Sequence, residues 1–233
     1  LLIVLLVSMV ACGLLGALIE RVAYRPLRSA GRLAPLITAI GVSLLLQNAG
    51  QLVFGADPKF FPPLIRSETA LRIGGIAISN IQIVVLVTAI LLMGGLQYVV
   101  QRTRFGRAMR AVSYDAPAAA LMGVPVDRVI LGTFVLGSCL AAAAGILVGL
   151  SNPKIDPLMG LMPGLKAFVA AVLGGIGSIP GAMLGGILLG VIETLVTGYL
   201  SSTYRDAIAF VVLVLILLYR PTGLFGAPQT EKV

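Results

Sequence analysis

The chain has 233 residues, of which 58% are hydrophobic and 11% charged, with a mean hydropathy of +1.05; soluble domains carry about 25% charged residues, so a soluble fold is excluded and the core must face lipid. Histidine is absent and the two cysteines, Cys12 and Cys139, lie in apolar stretches, which removes the commonest general base and metal ligand and supports neither a disulfide framework nor a metal site. The formal charge of +8 does not point to nucleic acid, because Lys and Arg sit in short loops between apolar runs and not on one basic face.

Crossing a hydrocarbon core of about 30 Å takes roughly 20 mostly apolar helical residues. The chain opens directly on such a run. It has no initial Met, basic n-region or cleavage site, so this run is not read as a signal peptide, and the chain is expected to lack its true N-terminus. The predicted spans are residues 1–19, 33–54, 80–100, 129–149, 181–200 and 205–219. Residues 164–175 are too short to cross alone: they form a half-helix, a re-entrant piece, or the second part of a broken span beginning near Pro157. The predicted fold class is therefore all-α, a polytopic transmembrane bundle of six full spans plus one short broken or re-entrant segment, with residues 1–233 as a single membrane domain.

Positive charge orients it, because cytoplasmic loops retain Lys and Arg. Arg21, Arg25, Arg28 and Arg32 follow the first span, Arg102, Arg104, Arg107, Arg110 and Arg128 fall in residues 101–128, and Arg220 and Lys232 in the tail, together 11 of the 17 basic residues. Lys59, Arg66, Arg72, Lys154 and Arg205 fall on the other side, with Lys166 on the short segment. A cytoplasmic C-terminus follows if 164–175 completes a crossing; if it re-enters, the last two spans invert. The stretch 55–79, with Pro58, Pro62, Pro63, Asp57, Lys59, Arg66 and Glu68, reads as an extracytoplasmic excursion with little regular structure.

Polar groups inside the spans are candidate substrate contacts: Gln47, Asn48 and Gln51 on the second and Glu193 before the last, with Lys166 as a possible counter-ion. Gln47 and Gln51 share a helix face and either line a path or bond across an interface. A carboxylate at membrane depth normally faces a cavity or a partner, although Glu193 and Lys166, near helix ends, have snorkelling as the plainer alternative. In GGIGSIPGAMLGG, Gly177, Pro180 and Gly181 mark a helix break, and the GxxxG spacings at Gly181 to Gly185 and Gly186 to Gly190 permit close backbone approach. Tight packing and a functional broken helix both account for it.

Residues 101–128 form a long cytoplasmic loop. Asp115, then Pro117, Ala118, Ala119, Ala120, Leu121 and Met122, then Gly123 read as a short capped helix that either packs on its own bundle or seats in a cytoplasmic ATPase. The chain has no GxxxxGK[ST] loop, so any ATP must be bound by another subunit. Without a GxSxG elbow or a metal-spaced cluster, transport, channel or scaffold roles stand ahead of catalysis.

Four stretches, ERVAYRPLRSAGRLAPLITAIGVSLLLQN, GRAMRAVSYDAPAAALMGVPVDRVI, GLKAFVAAVLGGIGSIPGAMLGG and YRPTGLFG, together resemble the branched-chain amino acid ABC permease family, specifically the H-type subunit of the high-affinity leucine, isoleucine and valine importer. The resemblance implies a multi-pass protein of the bacterial inner membrane with no cofactor of its own. Its partners would be a second related permease subunit, two cytoplasmic ATP-binding subunits and a periplasmic amino-acid-binding protein. It also implies that residues 101–128 hold a coupling loop, with Asp115, Ala118, Ala119, Leu121, Met122 and Gly123 against the ATPase; aligned on Gly123, Pro117 stands where the family consensus has Glu. The family's N-terminal region, with an Asn-Ala-His-Gly-type motif, is not in this sequence. Urea and short-chain amide permeases are close relatives, and an ATP-independent secondary transporter is the alternative outside the family.

Overall fold

In a computed structural model of the chain, the described residues are 1–27, 31, 33–60, 69–73, 76–220 and 222–225. Arg28, Arg32, Pro62, Pro63, Arg66, Glu68 and Lys232, used above to assign sidedness and the outer excursion, lie outside them, as does the side chain of Arg72. Among the described residues six helices are long and apolar enough to cross a membrane, and one shorter apolar helix accompanies them, as the fold class predicts. The chain divides into two compact units, Leu1–Leu158 and Met159–Val233.

In the first unit, α1 (Leu2–Ile19) runs on through a π-helical turn at Glu20–Tyr24 and a 3-10 turn at Arg25–Leu27, so the first apolar helix is longer than the sequence boundary. It packs along α6 (Val126–Ser151) through small residues. A Cβ on Gly13 would meet Cys139 Sγ and one on Gly16 would meet Ser138, the close approach that small residues permit in lipid, where the hydrophobic effect does not drive helices together. Cys139 Sγ also donates to the Met9 carbonyl at 3.1 Å, while the Tyr24 and Phe134 rings meet at a tilt of 53° with centroids 4.8 Å apart. Ile146, Leu147 and Leu150 of α6 complete the core with Leu1, Leu5, Ile81 and Val85.

The helix α2 (Ala34–Phe54) has no buried residue within its unit. α3 (Asn80–Arg102) begins with a reciprocal capping box between Ser79 and Gln82, which satisfies two otherwise orphaned N–H groups. Residues 101–128 are more helical than the sequence reading: after α3 come α4 (Arg104–Tyr114) and α5 (Ala116–Leu121). Thr103 starts α4 by accepting from Gly106 N–H at 3.1 Å. The stretch 55–79 is also more regular than expected. Lys59–Phe60 (β1) pairs antiparallel with Lys154–Ile155 (β4), and Thr69–Ile73 (β2) pairs with Ile76–Ser79 (β3). Alternation at Leu71, Ile73, Ile76 and Ile78 was the overlooked strand signal.

The second unit holds α7 (Leu161–Gly174), α8 (Ile179–Tyr199) and α9 (Arg205–Tyr219), the last preceded by a 3-10 turn at Ser202–Tyr204. α7 and α8 are antiparallel neighbours so close that a Cβ on Gly174 would strike the Gly181 carbonyl and one on Gly185 the Ala170 carbonyl. Val169, Ala170, Leu189 and Ala209 form the core, with Leu213 against it.

Candidate functional site

Four charged residues of the second unit, Lys166, Glu193, Arg205 and Asp206, form one cluster around Glu193. Its side chain is 7% exposed; Oε1 lies 2.9 Å from Lys166 Nζ and Oε2 accepts from Arg205 Nε at 3.0 Å. Lys166 Nζ also reaches Asp206 Oδ1 at 2.7 Å. The contact at Oε1 is ionic in character and lacks the alignment of a directed hydrogen bond. Glu193 lies 14 residues into α8, about 21 Å along its axis at 1.5 Å per residue, and it meets α7 and the first residue of α9 at that level. One buried carboxylate thus faces two cations, and Asp206 brings the four-residue cluster to formal neutrality, the condition under which charge is tolerated at membrane depth. The sequence reading identified Glu193 and Lys166 but left Arg205 as an outer charge and did not use Asp206. The available signal was their position at the head of the last apolar run, twelve and thirteen residues beyond Glu193 across a short turn.

The helix break lies slightly before its expected place. Gly175 and Gly177 have φ of 102° and 97°, the left-handed region that glycine enters without cost, and they turn the chain between α7 and α8. Pro180 sits in the first turn of α8, where a missing N–H costs nothing, and Ser178 caps that turn by accepting from Gly181 N–H at 3.1 Å. Of the two GxxxG spacings, Gly181 and Gly185 are buried against α7, whereas nothing lies within 4 Å of a Cβ built on Gly190. The first spacing serves packing.

In the first unit, Gln47 donates to Ser43 Oγ at 3.1 Å and Asn48 to the Leu44 carbonyl at 2.7 Å. Both bonds are local to α2, as is Thr38 to the Ala34 carbonyl at 2.8 Å. Gln51 stands one turn beyond Gln47, half-buried. A small cavity of about 170 Å³ beside the end of α2 is lined by Gly50, Phe54, Asp57, Lys59, Asp156 and Pro157 among others.

The short helix α5 is fastened at both ends. Asp115 accepts from Ala118 N–H at 2.9 Å. At the other end Val124 N–H donates to Ala119 O and Gly123 N–H to Ala120 O, both at 3.0 Å, with Gly123 at φ 82°; this pair of bonds is a Schellman closure. Ala119 is buried at 6% exposure, while Leu121 and Met122 are 90% and 84% exposed. One side of α5 therefore packs on its own unit and the other presents two large apolar side chains outward. A cleft of about 510 Å³ opens nearby, lined by Glu20, Arg21, Arg25, Ala120, Asp127 and Arg128 among others, with Arg25 and Asp127 paired at 3.0 Å.

Residues 1–217 match the family described as "Branched-chain amino acid transport system / permease component". The chain is 46% identical to the high-affinity branched-chain amino acid transport system permease protein BraD of Pseudomonas aeruginosa, over 97% of this chain and 75% of that protein. It is 45% identical to the corresponding permease protein LivH of Salmonella typhimurium, over 97% of this chain and 77% of the relative. A probable branched-chain amino acid transport permease protein of Methanocaldococcus jannaschii is 29% identical over 92% of this chain and 71% of its own length. No solved structure matches. With six spanning-length apolar helices and these matches along nearly its whole length, the chain belongs to the branched-chain amino acid transport system permease family.

Proposed function

We propose that the chain is the transmembrane permease subunit of an ABC importer that carries leucine, isoleucine and valine across the bacterial inner membrane. The observation that carries the reading is similarity over 97% of the chain to permease proteins named for high-affinity branched-chain amino acid transport. Energy comes from two separate ATP-binding subunits on the cytoplasmic face, because this chain has no phosphate-binding loop of its own. A second, related permease subunit completes the membrane portion, and a periplasmic binding protein delivers the amino acid. The C-terminus is cytoplasmic.

Within this reading, α5 is the coupling element. Asp115, Ala118 and Gly123 fix its ends, Ala119 seats it on the first unit, and Leu121 and Met122 insert into a groove of the ATPase. A helix fixed at both ends passes on a push as a rigid body, so closure of the ATP-binding subunits moves the helices to which α5 is anchored. Within the first unit Gln47, Asn48 and Gln51 offer weak polar contacts to an amino acid on its path, and within the second unit, taken by itself, Lys166 and Glu193 are the polar groups proposed to do so. The non-helical turn at 175–178, which contains Gly177 and ends where Pro180 and Gly181 open α8, is the irregular backbone offered to a wet path.

The test is uptake of labelled leucine into vesicles carrying this permease, its partner permease and the ATPases, with and without ATP and binding protein, for wild type and for L121S/M122S. Uptake that requires both ATP and binding protein, and falls at least tenfold in the variant with membrane insertion intact, is the expected result. Leucine uptake driven by an ion gradient without ATP refutes the reading. Uptake of labelled urea in preference to leucine would refute the assigned substrate alone.

A further inference from the structure

The helix α4 carries a row of arginines that coupling and translocation do not use. α3 has 23 residues, about 34 Å at 1.5 Å per residue, against a hydrocarbon core of about 30 Å, so its last turn reaches the headgroup layer. Tyr98, 66% exposed one turn before that end, is the kind of side chain enriched at this depth. α4 then turns back on α3. A Cβ on Gly106 would strike the Val99 and Val100 carbonyls, and Arg110 Nη1 donates to the Val100 carbonyl. The first half of α4 is thereby held at the level where α3 leaves the membrane. Its inner side is fixed by Phe105, whose ring occupies the space a Cβ on Gly132 of α6 would need.

Arg104 and Arg107 lie on the exposed side, three residues apart and so neighbours on one helix face, with exposed Arg102 just before them. Among the described residues no carboxylate pairs with Arg104 or Arg107. The acids at this end have other work: Asp115 caps α5, Asp127 holds Arg25, and Glu20 is buried at 2% exposure and engaged. A guanidinium at headgroup depth without a protein anion matches a phosphodiester oxygen pair, which it binds in bidentate fashion.

We infer that Arg104 and Arg107, placed by the turn of α4 onto the end of α3, form a binding site for the phosphate of an anionic phospholipid. The site anchors the base of the α4–α5 segment in the membrane surface. It requires only that the chain spans a bilayer, and does not depend on the cargo or on ATP.

The test is titration of fluorescent short-chain phosphatidylglycerol, and of phosphatidylcholine as control, into the intact protein in neutral detergent. Phosphatidylglycerol is expected to bind in preference, and high salt to weaken that preference in the wild type. R104Q/R107Q should weaken phosphatidylglycerol binding about 25-fold, at roughly five-fold per basic residue near an anionic surface. R104K/R107K, which keeps the charge but loses the bidentate fork, should fall between wild type and R104Q/R107Q. Equal binding of the two lipids by wild type, or wild-type affinity in R104Q/R107Q, overturns the proposal. So does competition by inorganic phosphate at concentrations equal to the lipid's, which would mark a free-anion site, and so does loss of ATPase copurification in R104Q/R107Q with lipid binding unchanged.

Discussion

Lys166 Nζ lies 2.9 Å from Glu193 Oε1, an ion pair joining α7 to α8 with only 7% of the glutamate side chain exposed. Glu193 also receives Arg205 from α9, so a single carboxylate ties three helices together. Buried ion pairs gain little over an apolar replacement, yet removing one member leaves an uncompensated charge.

The consequence is an asymmetry between Glu193 and its partners. Glu193→Gln should lower stability by about 2–3 kcal/mol, short of the full penalty for a broken buried pair because Lys166 keeps Asp206. Arg205→Gln should cost about 1 kcal/mol or less, since Arg205 is 58% exposed and screened by solvent. Thermal unfolding of both variants in one detergent decides this, and equal losses would contradict the hub role of Glu193.

The two GxxxG spacings should separate in the same assay. Gly185→Ala pushes a methyl group into the Ala170 carbonyl, whereas Gly190→Ala adds one where nothing lies within 4 Å. Overpacking at a tight contact costs about 1–3 kcal/mol, and an open helical glycine replaced by alanine gains up to about 1 kcal/mol. Opposite signs are expected, and a stable Gly185→Ala protein would refute the close α7–α8 packing.

Those two spacings also mark how far the sequence was legible. Six spans followed from apolar length alone, because lipid requires each crossing to satisfy its backbone within one segment. The short helix α5 was readable because Asp115 and Gly123 are cap residues by chemistry. Which GxxxG packs was not readable, since both have the same spacing and only the partner helix distinguishes them. α4 was missed because its arginines read as loop charge, although Phe105, Ala108, Met109 and Val112 fall at helical spacing behind the Thr103 cap. Arg205 and Asp206 were passed over because pairing across a turn depends on how α8 and α9 dock.

The N-terminal cap of α5 can be tested apart from transport. Asp115→Ala removes the acceptor for Ala118 N–H, at a cost of about 1 kcal/mol, and should speed amide hydrogen exchange in Ala118 and its neighbours roughly five-fold; Asp115→Asn, also a good cap, should leave it near wild type. Equal exchange in wild type and Asp115→Ala would mean that α5 is held by Ala119 packing alone.

At the opposite end of the second unit from Glu193, the chain after α9 closes onto α7. Leu224 N–H donates to Leu173 O at 2.9 Å and Phe225 N–H to Gly174 O at 3.1 Å, supplying partners to carbonyls that a helix C-terminus leaves orphaned. This approach depends on Gly223, whose φ is 77° and whose added Cβ would lie 2.5 Å from both Gly175 Cα and the Val172 carbonyl. Gly223→Ala therefore meets two costs at once, about 1–2 kcal/mol for a left-handed non-glycine residue and a further clash with backbone that cannot rotate away. The cheaper response is release of this segment from α7, which exposes the Leu224 and Phe225 amides without unfolding the helices. Hydrogen exchange should then rise at least tenfold at Leu224 and Phe225 and stay unchanged at Val169 and Leu189 in the core. Uniform acceleration across the unit would instead mean that this closure holds the three helices together, and unchanged exchange at Leu224 would mean that the backbone bonds to Leu173 and Gly174 do not depend on Gly223.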